Sequence, residues 1–296
     1  MSKVFVLAET EQAARELCAG ARTFGDTVVL ANVGVPAVLG VADKVLHIDV
    51  PADNVVDDAY VALNRAFDAE EAQVVLAEPT VHVLSLVGRL AAHVGAAAIT
   101  GATSFADDVA SSMYFGGTGT RAARPTSEVK VYTVALGTFD AAEARGTDAV
   151  EEVAFEAPVR AVKRIAFEPR EASSVDLGAA DAVVACGRGF QSHDDLQLAY
   201  DLAAKLGAEV GCSRPLAEGE GWFPREAYIG VSGQFVSPRV YVAAGVSGQM
   251  QHMVGCTGAG IVVAVNKDKN APVFDQCDYG IAGDIKTVLP VLTAVL

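Results

Sequence analysis

An α/β architecture of two doubly wound domains is the fold class that this sequence predicts, and three observations carry it. At 296 residues the chain is long enough for two domains of about 150 residues each. Through the first half, short apolar runs alternate with roughly ten to fifteen residues of helix-forming sequence, the order that yields parallel strands joined by right-handed crossovers. In the second half, several apolar runs each end in a glycine-rich or polar turn. A hydrophobic content of 51%, a charged content of 20% and 28 glycines exclude disorder, collagen and coiled coil as the main state.

Val4 to Ala8 is the first expected strand, and Glu9 to Ala21 the first helix. Thr27 to Leu30, Lys44 to Ile48 and Val74 to Ala77 supply further strands, with helices around Val55 to Phe67 and Val81 to His93. The first strand-to-helix turn, Ala8-Glu9-Thr10-Glu11, lacks the glycines that admit a pyrophosphate and sets two carboxylates where phosphate would sit. A nucleotide is disfavoured there. Gly116-Gly117-Thr118-Gly119 resembles a phosphate loop, yet Lys is absent and no helix pattern follows, so a hairpin or surface turn is preferred. From Glu128 to Phe167 the sequence alternates, in Val129 to Val134 and Val150 to Phe155, which suggests antiparallel strands closing the first domain. Glu168 to Ser174 has a linker's composition and places the domains at 1–172 and 173–296.

The formal charge of −15, from 22 basic against 37 acidic residues, repels phosphate backbones and anionic lipid headgroups, so no nucleic-acid partner is expected. The apolar run at the N-terminus is too short for a signal-peptide core. Val81 to Ile99, the best candidate for a membrane span, is interrupted by His82, Arg89 and His93, so no membrane insertion is expected. Cys18, Cys186, Cys212, Cys256 and Cys277 are widely spaced with no CxxC pair, which suggests a reducing cytoplasm and offers no metal site. For His47, His82, His93 and His193 no partners are evident, and surface or structural positions are preferred.

The chemistry concentrates in the second half. The strand Ala182 to Cys186 ends in Gly187-Arg188-Gly189 and enters a helix at Asp194 to Leu206; the glycines permit a tight turn and close ligand approach. Tyr241 to Ala244 ends in Gly245-Val246-Ser247-Gly248 and leads into a helix starting at Gln249, whose free N–H groups and positive end would seat a phosphate. After Glu209-Val210, Pro215 is expected to hold Arg214 in an extended conformation at a strand end. Val262 to Val265 presents Asn266, and Asp284 is a natural N-cap for the last helix. Five such strand ends along one edge of a parallel sheet form a ligand crevice of dinucleotide size. No nucleophile with an adjacent base, and no paired carboxylate, is apparent.

Gly187-Arg188-Gly189, Ser213-Arg214, Gly230-Val231-Ser232-Gly233, Gly245 through His252, Val265-Asn266-Lys267-Asp268 and Asp278 through Asp284 occur in an order and spacing that resemble the electron transfer flavoprotein alpha subunit. Cys212-Ser213-Arg214-Pro215 and Asn266 through Pro272 resemble its FixB-like branch. The resemblance implies a Rossmann-like C-terminal domain that binds FAD, and an N-terminal α/β domain that pairs with a beta subunit. Carried over, the FAD contacts fall on Arg188, Ser213, Arg214, Ile229, Gly230, Val231, Ser232, Ser247, Gly248, Gln249, Met250, Gln251, His252, Asn266 and Asp284. Arg214 matches an arginine against the isoalloxazine, His252 a histidine near flavin O2, and Ser232 replaces a threonine near N5. Val231 departs from the usual glutamine. A positive or hydrogen-bonding group near N1 and O2 favours the reduced flavin, and His252 suits that position.

The resemblance further implies an electron carrier rather than a stand-alone enzyme. Electrons would come from a dehydrogenase or NADH and pass to a protein acceptor. The expected partners are the beta subunit and an acyl-CoA dehydrogenase, quinone oxidoreductase or ferredoxin-type protein. The beta subunit would hold AMP or a second FAD, and a second FAD would make electron bifurcation possible. Two other readings use the same sheet edge: an NAD-dependent oxidoreductase, which needs an acid or base in the pocket, and a non-redox nucleotide-binding scaffold.

Overall fold

The computed structural model describes residues 2–33, 36–166 and 177–296. The chain divides into two compact units, Met1–Met113 with Thr120–Pro169, and Tyr114–Gly119 with Arg170–Leu296. The expected linker at 168–174, and with it the boundary between 172 and 173, lies outside the described residues. No helix among the described residues is long and apolar enough to cross a membrane.

Nine strands form the first sheet: β1 (Lys3–Ala8), β2 (Thr27–Asn32), β3 (Lys44–His47), β4 (Val74–Ala77), β5 (Ala98–Ala106), β6 (Val109–Tyr114), β7 (Gly119–Ala123), β8 (Lys130–Val134) and β9 (Ala149–Glu152). Their order is β7-β6-β5-β8-β4-β1-β2-β3-β9. Along β1, Phe5 and Leu7 enter one core cluster while Val4, Val6 and Ala8 enter another. Successive side chains point to opposite faces, so both faces are covered and the strand shows a continuous apolar run. Helices α1 (Glu11–Ala21), α2 (Tyr60–Glu70) and α3 (Val81–His93) lie between the strands as expected. Thr10 and Thr80 cap α1 and α3 by accepting from Ala13 N and Val83 N.

One expectation fails in this unit. β8 is parallel to β4 and β5, and β9 is parallel to β3. β5 and β6 do pair antiparallel, joined by a tight turn in which Asp107 adopts φ 55°, tolerable for Asp, and among the described residues within 128–167 a single antiparallel bridge joins Lys163 to Asn54. The alternation that suggested antiparallel strands belongs to a central strand, β8, and to an exposed edge strand, β9. The glycines Gly116 and Gly117 both take positive φ in the turn before β7.

The first strand-to-helix turn is closed to phosphate by a residue from elsewhere. Glu78, 1% exposed at the end of β4, accepts from Glu9 N at 2.8 Å, Thr10 N at 3.0 Å and Thr10 Oγ1 at 2.7 Å. A carboxylate thus occupies the donors that a nucleotide would need. Asp148 does comparable work after β2, accepting from the backbone N–H groups of Leu39, Gly40, Val41 and Ala42. Three histidines have partners that the sequence did not reveal: His47 with Asn32 at 2.6 Å, His82 with Asp57 at 2.9 Å and His93 with Asp68 at 2.9 Å.

The second unit holds β10 (Ala182–Cys186), β11 (Glu209–Cys212), β12 (Val240–Ala244), β13 (Ile261–Asn266) and β14 (Tyr279–Ala282), ordered β11-β10-β12-β13-β14. Every pairing is parallel. Helices α4 (Gln197–Leu206) and α6 (Ile285–Val295) cover one face with Val184, Val242 and Val265. The other face carries Val183, Ala185, Tyr241, Ala243, Met253 and Cys256. The order reverses between β10 and β12, which makes the space beyond their C-terminal ends the topological switch point.

Candidate functional site

At the switch point two glycine turns interlock. Gly187 N donates to Ala244 O at 2.8 Å and Gly189 N to Gly245 O at 2.9 Å. A Cβ on Gly187 would lie 2.3 Å from Gly245 O, and one on Gly189 would lie 2.6 Å from Gly245 Cα. Gly245 has φ 63°, a left-handed backbone that only glycine adopts without cost. The turns after β10 and β12 are therefore fixed against each other by backbone contact. Asn266 braces the second turn, donating from Nδ2 to Val246 O at 2.8 Å while its Oδ1 accepts from Asp268 N at 2.9 Å.

These turns form the wall of a cavity of about 550 Å³, within the range that takes a cofactor. Thirteen of the expected residues line it: Arg188, Ser213, Arg214, Ile229, Gly230, Val231, Ser232, Ser247, Gln249, Gln251, His252, Asn266 and Asp284. Gly248 and Met250 do not. Gly248 instead packs on the backbone of Val273, and Met250 is exposed. Tyr228 and Lys267 also line the cavity and were not anticipated; Tyr228 donates its hydroxyl to Ser232 O.

Local charge reverses the chain's acidity. Arg188, Arg214 and Lys267 line the cavity with a single carboxylate, Asp284, which also caps α6 by accepting from Lys286 N at 2.8 Å. Two details differ from expectation. Arg214 is helical, with φ −45° and ψ −43°, because it opens a turn over Pro215–Gly219. The bonds from Leu216 N to Ser213 O and from Glu220 N to Pro215 O hold that turn against the extended preference of a residue before proline. Arg214 Nε pairs with Glu218 Oε2 at 2.5 Å, and this partner raises the already high basicity of the guanidinium. Second, α5 spans only Met250–Met253. Its macrodipole is slight, so the turn's own N–H groups remain as the means of meeting an anion.

His252 is 8% exposed, and burial pushes its imidazole down to about 4. Burial thus favours the neutral ring at pH 7, a hydrogen-bonding group, over the cation. Burial raises the thiols of Cys212 and Cys256 to about 12 and about 11, which leaves them inert. Among the described residues, three buried side-chain atoms make no hydrogen bond of good geometry, Asn64 Oδ1, Ser213 Oγ and His252 Nδ1, although the Ile229 backbone lies close enough to the His252 ring to favour its protonated form slightly. Ser213 and His252 line this cavity. Buried polar groups are rarely left unpaired, so a polar ligand that bonds both atoms fits the wall as built.

Residues 176–257 match the family model of the electron transfer flavoprotein FAD-binding domain, and residues 4–159 match that of the electron transfer flavoprotein domain. Proteins named FixB from Salmonella typhimurium (strain LT2) and Salmonella typhi are each 38% identical over 307 residues, covering 100% of this chain and 98% of theirs. Protein FixB of Escherichia coli O17:K52:H18 is 45% identical over 186 residues, which is 62% of this chain and 59% of that protein.

Proposed function

This chain belongs to the electron transfer flavoprotein alpha subunit family, in its FixB-like part, and from that premise we propose that it carries electrons on one FAD held in the cavity of the second unit. A beta subunit completes the heterodimer through the first unit. An acyl-CoA dehydrogenase, quinone oxidoreductase or ferredoxin-type protein exchanges electrons with it, in the cytoplasm. The observation that carries the reading is the pair of buried atoms that make no hydrogen bond of good geometry, Ser213 Oγ and His252 Nδ1, on the cavity at the sheet's switch point.

Bound FAD supplies the one- and two-electron chemistry. The residues of this chain bind and orient it. Arg188 and Lys267, with the N–H groups of Ser247 and Gly248 in the turn after β12, suit the pyrophosphate. Arg214 holds a permanent positive charge at the cavity mouth, favouring whichever state of the ring carries more negative charge. Ser213 Oγ and His252 Nδ1, which make no hydrogen bond of good geometry within the chain, offer hydrogen bonds to a ligand. Ile229 and Val231 supply apolar wall. The internal carboxylate of Glu78 leaves the first unit's sheet edge to structure, which supports a single cofactor in this chain.

Coexpression with the beta subunit tests the proposal. The purified heterodimer is expected to be yellow and to release FAD on denaturation. A colourless heterodimer, or hydride transfer from NADH in the absence of any flavin, contradicts it.

A further inference from the structure

Behind His252 lies a residue that the carried-over contacts do not include. Tyr241, on β12, is 0% exposed, and its hydroxyl oxygen lies 2.7 Å from Nε2 of His252. Two arrangements fit that distance: the hydroxyl donates to a bare Nε2, or an Nε2–H donates to the phenol oxygen. The second requires another acceptor for the hydroxyl hydrogen. Cys256 Sγ is within hydrogen-bond reach of the Tyr241 hydroxyl and could take its hydrogen, while its own S–H donates to Met253 O at 3.2 Å. A thiol sulfur accepts weakly and a bare imidazole nitrogen accepts well, so the first arrangement is the more stable.

We propose that Tyr241 is a positioning residue that fixes His252 as the neutral Nδ1–H tautomer, so that the ring presents one N–H donor to an acceptor oxygen in the cavity. Burial keeps the Tyr241 phenol protonated and the imidazole neutral, so the donating hydrogen is available and no second proton competes for the ring. Nδ1, which makes no hydrogen bond of good geometry within the chain, is then a donor. The opposite tautomer would aim a lone pair at that oxygen and repel it. The inference rests on the FAD reading only for the identity of the acceptor, an oxygen of the flavin ring.

Nitrogen-15 spectra of the histidine-labelled full chain, free of FAD at pH 7, decide the tautomer. The expected signature is a protonated Nδ1 with a bare Nε2. In Tyr241→Phe, the ring is expected to shift toward the Nε2–H form, and FAD is expected to bind about tenfold more weakly, the equivalent of 1.4 kcal/mol. An Nε2–H ring in the wild type overturns the proposal without recourse to the variant. An unchanged tautomer in a Tyr241→Phe protein with native Trp222 fluorescence overturns it too. If the wild-type ring is Nδ1–H and the heterodimer still takes up no FAD, the tautomer assignment stands and the FAD reading fails.

Discussion

Acid should weaken the second unit through His252, by an amount that the structure allows to be worked out. Unfolded, the ring takes up its proton near 6.5; folded, burial holds the proton off until about 4. Between those values the unfolded state binds the extra proton, so this contribution to stability is fully present above 6.5 and is lost as pH falls through 4. At about 1.4 kcal/mol for each tenfold change in proton affinity, the whole effect is about 3 kcal/mol, and about 2 kcal/mol of it is lost between pH 7.5 and pH 5. Tyr241 and Cys256 stay protonated throughout this range, since burial raises both. Asp195, held below the usual carboxylate range by its bond from Lys286, adds a loss common to wild type and variant. The assay is urea unfolding of FAD-free chain followed by Trp222, the single tryptophan, which lies in the second unit. The unfolding free energy of the wild type is expected to drop by about 2 kcal/mol more than that of His252→Gln over this pH interval. Parallel curves for the two proteins would refute the buried neutral imidazole.

Gly189→Ala places a Cβ 2.6 Å from Gly245 Cα, where only backbone can give way, and should cost about 1–3 kcal/mol; an unchanged urea midpoint contradicts the interlocked turns. Asp148→Asn replaces an acceptor of four backbone N–H groups with an amide that must turn one donor toward donors. A loss of about 3 kcal/mol from the first unit is expected, with FAD content unaltered, as read by thermal unfolding and flavin absorbance. Arg214→Ala is expected to lower the flavin reduction potential or its retention, measured by spectroelectrochemical titration, and an unchanged potential with full FAD content removes Arg214 from that role.

Much of the second unit was legible because its strands are short apolar runs whose ends carry unusual residues. Gly187, Gly189 and Gly245 mark the switch point in sequence because the backbones there approach too closely for any side chain. The cap at Asp284 follows from residue type alone. What the sequence obscured depends on partners distant along the chain. Arg214 was expected to be extended from Pro215, yet the turn closed by Glu218 and Glu220 decides its backbone. His252 could be read as a cation until the burial contributed by β12 was known. In the first unit, both the direction of β8 and the role of Glu78 are set by pairing across residues far apart in the chain, and no local pattern encodes them.

The FAD content per chain of the heterodimer, compared between wild type and Ser213→Leu, tests the central claim most directly. Ser213 Oγ is buried on the cavity wall without a partner, and a leucine there fills the space a ligand would use. The account predicts one FAD per wild-type chain and almost none in the variant, with Trp222 fluorescence preserved. Equal flavin content in both proteins would place the cofactor elsewhere.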